Sequence, residues 1–419
     1  MKKIKEKLMN LAKKKLLFRK LFRNSLNAYR YICYKVRGIG LAVNEKKVLF
    51  STFDGKGFSD SSKAIYLYML NEEHFKDYQF VWVFKDVEKH RFLLENRNTT
   101  IVQRGSKEHE KALLSAKYIV VNHRVMDHQY PRKGQIYLQC WHGTPLKRLG
   151  FDLDKTENAL NTTKEIQHKY LIEAKKDTYF LSPSAFATEK FISSFNLKGL
   201  GKEHIVIEQG YPRNDFLYNY TENDLARIRE QLGIADTNKT IILYAPTWRD
   251  NQHTSGIGYT YKNEMDFDKL QEQLGEDYII LFRAHYFVAN SFDFEKYEGF
   301  VYDVSSYDDI NELYVVADML ITDYSSVFFD YANLKKPILF YMYDLEKYAN
   351  NWRGFYIKLE ELPGPIIEEQ DELIAKILQI NASFEYDEKY RVFNETYNYL
   401  DDGQASKRVV EIVMRDKGE

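Results

Sequence analysis

The sequence predicts an α/β protein of two doubly wound units that face a central cleft, preceded by a basic amphipathic helix. Three observations carry this reading. From residue 46 onward, short aromatic or β-branched runs alternate with helix-like stretches, the pattern that parallel strands with crossover helices require. The alternation breaks at Gly210-Tyr211-Pro212 and then restarts, which makes two units rather than one. A chain of 419 residues, 44% hydrophobic and 29% charged, has material for two or three cores, which rules out a small disulfide scaffold and a disordered chain.

In the first unit the expected strands are Val48 to Phe53, Tyr78 to Phe84, Thr100 to Gln103, Tyr118 to Asn122, Gln135 to Cys140, Tyr179 to Ser182 and Ile205 to Glu208. After the break, a polar helix over about 221 to 232 ends at Gly233. The second unit has strands at Thr240 to Ala245, Tyr278 to Arg283, Phe300 to Asp303, Met319 to Thr322 and Pro337 to Tyr341. Helices are expected at Asp268 to Leu274, Asp308 to Val316 and Val327 to Leu334, and the chain after 371 reads as largely helical. The resulting division is a leader over 1–45, units over 46–215 and 216–380, and a helical segment over 381–419.

Charge is distributed unevenly. Residues 1 to 40 hold thirteen Lys and Arg against one acid, Glu6, so the leader is +12; the total of −1 then leaves −13 for the rest. Ile4, Leu8, Leu11, Phe18, Phe22 and Tyr29 recur on one helical face, interrupted by Lys15. Such a helix suits an anionic bilayer surface, or else packs on the protein with a solvated basic face. Lys13 to Lys15, Arg19 and Lys20 deny it the apolar core of a signal peptide. The acidic body disfavours nucleic acid as a partner. Cys33 and Cys140 form no CxxC pair, which favours a reducing, cytoplasmic setting, and no long uncharged apolar run predicts a membrane span.

The polar motifs cluster where strands end. Gln139-Cys140-Trp141-His142-Gly143-Thr144-Pro145 places His142 at a strand exit, as a general base requires, although a loop or capping histidine fits equally well. Leu243 to Arg249 runs a strand into Pro246, Thr247 and Arg249. Arg283-Ala284-His285 ends the next strand with two anion-binding side chains. Asp323 closes a strand, and Ser325 and Ser326 open a helix, a seat for phosphate or a simple cap, with Asp330 within reach of a ribose. Asp54-Gly55-Lys56-Gly57 lacks the third glycine of a dinucleotide fingerprint. Asp152/Asp154 and Asp266/Asp268 read as solvated loop acids rather than metal ligands, and no His/Cys cluster calls for a metal.

Together Trp141-His142-Gly143-Thr144-Pro145-Leu146-Lys147, Gly210-Tyr211-Pro212-Arg213-Asn214-Asp215, Ala245-Pro246-Thr247-Trp248-Arg249, Arg283-Ala284-His285 and Thr322-Asp323-Tyr324-Ser325-Ser326 with Asp330 resemble the CDP-glycerol glycerophosphotransferase family, which builds teichoic acids and related capsule polymers. Gly55 to Lys63 resembles it too, so the likeness covers residues 46 to 380 in consistent order. The resemblance implies a GT-B-like fold of two Rossmann-like domains. It also implies transfer of glycerol phosphate from CDP-glycerol to a hydroxyl on a membrane-linked acceptor, with release of CMP and no cofactor, by a peripheral protein on the cytoplasmic face.

It further implies roles for individual residues. His142 is the base, and Arg283, His285, Arg213, Ser325 and Ser326 meet phosphoryl charge, with His285 alternatively the proton donor to the leaving phosphate. Asp330 holds the ribose, and Pro246 and Thr247 line the nucleotide pocket. Trp141, Gly143, Thr144, Pro145, Pro212, Arg249 and Ala284 complete the substrate-binding set. Tyr286 stands where the family has Pro or Ser after its second histidine. The short region before the first strand favours a primase or single-addition enzyme over a polymerase. A ribitol-phosphate transferase, a sugar-nucleotide glycosyltransferase and a silent nucleotide-binding module are the alternatives.

Overall fold

The computed structural model describes residues 16–154, 162–247, 253–254, 258–259, 265–284, 293–346 and 354–414; for 16–23 and the two-residue strands at 253 and 258 it gives the backbone course alone. The first sheet contains β1 (Asn44–Ser51), β2 (Gln79–Phe84), β3 (Thr99–Gln103), β4 (Ala116–Val121), β5 (Ile136–Gln139), β6 (Tyr179–Ser182) and β7 (Val206–Glu208). They lie in the order β3-β2-β1-β4-β5-β6-β7, every neighbouring pair parallel. Val48, Phe50, Phe80, Trp82 and Val120 point into one core and Leu49, Val81, Val83, Ile119 and Val121 into another. A strand buried on both faces needs an unbroken apolar run, which is what these segments have.

The second sheet repeats the arrangement. It contains β8 (Thr240–Ala245), β11 (Tyr278–Phe282), β12 (Val301–Asp303), β13 (Met319–Thr322), β14 (Ile338–Tyr341) and β15 (Ile366–Ile367), in the order β12-β11-β8-β13-β14-β15. A small antiparallel pair, β9 (His253–Thr254) and β10 (Gly258–Tyr259), intervenes. Leu243, Leu281 and Leu320 face one core, Tyr244, Phe282 and Ile321 the other. Strand order reverses between β1 and β4 and again between β8 and β13, and at such switch points doubly wound sheets open a crevice for ligands.

Three C-terminal helices tie the lobes together. Gln370–Ser383 and Glu388–Tyr397 cover the two faces of the second sheet through Leu373, Ile374 and Ile377 and through Tyr390, Phe393 and Tyr397. Ala405–Val413 crosses back, and its Val409, Val410 and Val413 pack with Ile65 and Tyr66 in the first lobe. Asp215 accepts from the N–H groups of Ala405 and Ser406 at 2.8 and 2.7 Å, fixing the start of that helix.

Every expected strand is present, with ends within two residues of expectation except that β1 begins at Asn44, four residues before Val48. The first ends at Ser51 because Phe53 and Asp54 take φ of 44° and 62°, outside any strand conformation. The helix expected from 308 begins at Ile310, since the Asp309 carboxylate accepts from the Asn311 N–H at 3.1 Å and caps it. The helix from Val327 tightens into a 3-10 turn over Ala332–Leu334 and stops at Lys335, φ 55°. β9, β10 and β15 have two residues each, too few to leave a periodic signal.

A helix spans Leu16–Arg37. Tyr34 anchors it in the first lobe and Arg37 pairs with Glu110, whereas Tyr29, Ile32 and Val36 are 66%, 60% and 57% exposed along one side. Among the described residues no helix is long and apolar enough to cross a membrane.

Trp82 is fully buried, stacked 5.2 Å from Phe50 and 5.6 Å from Phe84, with the edge of Phe58 at 5.0 Å. Trp82→Ala is expected to lower the unfolding free energy by about 3–5 kcal/mol in urea titration; a loss below about 1 kcal/mol would show that this core collapses to fill the space.

Candidate active site

His142 follows β5 on a loop with unusual backbone. Trp141 adopts φ 52°, and its N–H is held at 3.0 Å by the Gln139 side chain, which in turn donates to Glu173 at 3.0 Å. The Trp141 ring is buried beside Phe180, Phe191 and Phe195 and stacks on the His142 ring at 4.4 Å. His142 Nδ1 lies 2.8 Å from the Asn122 carbonyl, which can only accept, so Nδ1 carries the proton and Nε2 is left as the basic atom. The edge of Phe53 closes the other side at 6.1 Å. The ring lies deep between the lobes yet stays open to the cleft. Desolvation pulls its pKa below that of ordinary imidazole; the Asn122 hydrogen bond and the Asp60 charge oppose this, and Arg213 reinforces it. The ring is therefore a neutral base at pH 7.

From the second lobe, the ends of β8 and β13 meet it at that sheet's switch point. Asp323 Oδ1 accepts from the N–H groups of Thr247 and Tyr324 at 2.8 and 2.6 Å, and Thr322 Oγ1 donates to the Ala245 carbonyl at 2.8 Å, so the two strand exits form one rigid ledge. Ser326 precedes the helix Val327–Tyr331 without a side-chain capping bond. A Cβ added to Gly143 would stand 2.7 Å from Ser326 Oγ and would turn that hydroxyl aside, so the two lobes meet closely here. Arg283, at the end of β11, donates to the Val304 and Tyr307 carbonyls at 3.1 and 2.8 Å and is thereby aimed.

These pieces enclose a cavity of about 410 Å³ lined by Trp141, His142, Gly143, Thr144, Pro145, Pro246, Thr247, Arg283, Ala284, Ser325 and Ser326, all expected from the sequence. Arg213 and Asp330 line an adjoining recess of about 170 Å³ together with His142, Arg283 and Ser326. Pro212 opens the 3-10 turn that carries Arg213. Arg249 and His285, with Trp248 and Tyr286, lie outside the described residues.

Asp330, expected at a ribose, has both oxygens occupied within the protein. Arg213 Nε and Nη2 each donate to it at 3.0 Å, as does Asn214 at 3.0 Å, and Arg213 is 4% exposed. Arg213 Nη1 stands 3.6 Å from Asp60, whose backbone takes φ 62°. Asp60, Asn122, Phe53 and Asp323 are site residues that sequence reasoning passed over; for Asn122 the signal was a polar residue closing the apolar run of β4. Asp152 accepts from Ser193 Oγ at 2.6 Å, Asp154 pairs with Arg148, Asp266 caps its helix and Asp268 pairs with Lys296, so each of the four has a partner within the protein. Among the described residues, no group of three His, Cys, Asp or Glu is arranged to hold a metal ion.

A larger hollow, about 780 Å³, lies on the other side of Arg213, and of the expected site residues it includes only that one. Its walls include Lys63, paired across the lobes with Asp309 at 2.7 Å and Glu312 at 2.9 Å, and Asp308, which lies 2.8 Å from His90 of the first lobe. Burial raises the Asp308 pKa, but hydrogen bonds from His90, Lys89 and the Phe58 N–H overcome it and hold the carboxyl at about 2.

Asp330→Asn is expected to cost about 3–5 kcal/mol in urea unfolding, because it removes the bidentate partner of the buried Arg213 charge and leaves only Asp60 at 3.6 Å. Unchanged stability with lost affinity for a cytidine nucleotide would return Asp330 to the ribose.

Comparison with known proteins shows the family and the fold. Residues 33–415 match the family described as CDP-Glycerol:Poly(glycerophosphate) glycerophosphotransferase. The chain is 39% identical to the teichoic acid poly(glycerol phosphate) polymerase of Bacillus spizizenii over 94% of this chain and 98% of that protein, and 38% identical to the teichoic acid glycerol-phosphate transferase of Staphylococcus aureus over 89% and 94%. It spans about half, 52%, of the corresponding Bacillus subtilis polymerase. A polymerase of nearly this chain's length removes the length argument for a primase. The structure of the wall teichoic acid polymerase TagF superposes with a TM-score of 0.81 at 35% identity, covering 94% of this chain and 96% of that one. UDP-GlcNAc 2-epimerase from Neisseria meningitidis, TM-score 0.50 at 11% identity, shares the fold alone. The architecture is GT-B-like, and the chain belongs to the CDP-glycerol:poly(glycerophosphate) glycerophosphotransferase family as a transferase of that class.

Proposed function

We propose that this chain transfers glycerol phosphate from CDP-glycerol to a hydroxyl of a membrane-linked acceptor in teichoic acid synthesis. The observation that carries the reading is the basic Nε2 of His142 facing, across the cleft, a ledge of Ser325, Ser326 and Arg283. His142 takes the proton of the acceptor hydroxyl. The resulting oxygen attacks the phosphorus that bears glycerol, and the bond from that phosphorus to the bridging oxygen breaks, so that CMP leaves with the electron pair. Charge on the phosphoryl oxygens is met by Arg283 and the serine hydroxyls, fixed before substrate arrives by the Val304 and Tyr307 carbonyls and by Asp323. Arg213, held by Asp330 and flanked by Asp60, ties the two lobes together beside His142. Pro246 and Thr247 floor the nucleotide side. His285 and Arg249 enter this reading by residue type alone, His285 as donor to the departing CMP or as a further phosphate contact.

His142→Ala is expected to lower kcat by at least about a hundredfold while CDP-glycerol affinity, by calorimetry, stays within a few-fold. Near-normal turnover would remove His142 from the mechanism. Because the base works deprotonated and its pKa is depressed, kcat/KM should be full at pH 7 and fall with acidification through a value below the ordinary 6.5 of imidazole.

The membrane link is supported by the exposed row of Tyr29, Ile32 and Val36 on a basic helix. Since Tyr34 is part of the core, substitution tests this better than deletion. Changing the three to Ser should release the protein from anionic vesicles and lower activity on bilayer-embedded acceptor, largely sparing a soluble analogue. Undiminished co-sedimentation would place the membrane contact elsewhere.

A further inference from the structure

The loop after β1 carries groups that the transfer step does not use. It leaves the first sheet at the switch point where β1 and β4 diverge, the position at which a doubly wound sheet accepts a ligand. Phe53, Asp54 and Gly55 take φ of 44°, 62° and 80° in succession, a left-handed run held by hydrogen bonds from Gly55 N–H to Thr52 O at 2.8 Å and from Lys85 N–H to Gly55 O at 2.7 Å. That run directs Asp54 between the ends of β2 and β3, where Lys85 Nζ stands 3.2 Å and Arg104 Nε 2.7 Å from its carboxylate. Lys56 lies beside the same two charges, Lys85 and Asp54. Three cations surround one carboxylate, a local excess of positive charge.

His123 adds a second, independent feature. Burial holds the ring neutral, with a pKa of about 4. Its Nε2 faces Asp54 at 3.9 Å, and its buried Nδ1 has no hydrogen-bond partner. A buried ring nitrogen without a partner is costly unless a ligand supplies one. His123 and Arg104 line a cavity of about 280 Å³ that runs from Arg30 and Arg37 on the N-terminal helix to Asp54. The cluster also adjoins the groups that hold the base. Phe53 N–H donates to the Asn122 side chain at 2.8 Å, the Asn122 carbonyl accepts from His142, and Asp54 and His123 are the next residue in each segment.

We propose that Lys56, Lys85, Arg104 and His123, arranged around Asp54, form a subsite for a polyol phosphodiester: the acceptor's phosphate next in line to the hydroxyl that His142 deprotonates. The cations take the phosphate oxygens, Asp54 holds Lys85 and Arg104 in place, and His123 Nδ1 accepts from a polyol hydroxyl. This rests on the reading of the chain as a glycerol-phosphate transferase.

The test uses the full chain with both Lys85→Gln and Arg104→Gln, and two soluble acceptors of equal length, glycerophosphoglycerol and an uncharged polyol ether. The double variant should shrink the ratio of kcat/KM for the charged over the uncharged acceptor by tenfold or more. Calorimetric affinity for glycerophosphoglycerol without donor should fall as far, while CDP-glycerol affinity stays within twofold and reports an intact fold. An unchanged ratio with unchanged glycerophosphoglycerol binding overturns the proposal and leaves a salt-bridge cluster that only joins strands. An unchanged ratio with lost sedimentation on phosphatidylglycerol vesicles overturns it in favour of a lipid headgroup. If the wild-type chain does not turn over CDP-glycerol, the transferase reading fails, and the donor-free calorimetric arm still decides whether the cluster binds the phosphodiester.

Discussion

Arg213 stands where the chain crosses from the first lobe to the second, enclosed by protein, with Asp330 of the second lobe bound through two parallel hydrogen bonds at 3.0 Å and Asp60 of the first lobe 3.6 Å away. A guanidinium so far from water needs counter-charge close by, and here the two carboxylates come from segments far apart in sequence. Asn214 extends the network to Asp401 at 2.7 Å, beyond the second sheet. Asp60 begins the helix Asp60–Asn71, and Asp330 sits in the helix that follows Ser325 and Ser326. The position of one side chain therefore fixes how the phosphate ledge stands relative to the first lobe.

Catalysis depends on that placement. The proposed base belongs to one lobe and the groups proposed to meet phosphoryl charge to the other, so neither sheet alone carries the full set. Gly143 and Ser326 meet so closely that a single methyl group on Gly143 would displace the Ser326 hydroxyl. A second set of contacts, Lys63 and His90 with Asp308, Asp309 and Glu312, spans the cleft on the far side of Arg213. Preorganised dipoles act on a transition state only when they need not move to reach it, and these contacts hold the ledge in position before substrate binds. In this state the cleft is a defined cavity rather than a hinge gap.

The sheets were legible in the sequence because strands buried on both faces must be apolar throughout, and runs such as Phe80 to Phe84 and Ile241 to Tyr244 have no other stable use. The cleft-lining residues were legible because polar groups appear abruptly at strand exits, as at His142, Thr247, Arg283 and Ser325. Pairings across large sequence separations were not. Asp330 read as an available carboxylate since nothing local reveals that Arg213, 117 residues earlier, occupies it. The left-handed turns at Phe53, Asp54, Asp60 and Trp141 were equally hidden, because bulky residues there are held by tertiary contacts against their own preference.

The account's central claim is that the cleft moves glycerol phosphate, as a unit, from a cytidine nucleotide to an alcohol. Mass spectrometry of the products from purified protein, CDP-glycerol and a defined acceptor bearing a terminal glycerol hydroxyl tests this directly. The account predicts acceptor masses increased by whole glycerol phosphate units, with one CMP formed per unit added. Release of CMP with no gain in acceptor mass, or gain of a sugar from a sugar nucleotide in the same assay, would contradict it.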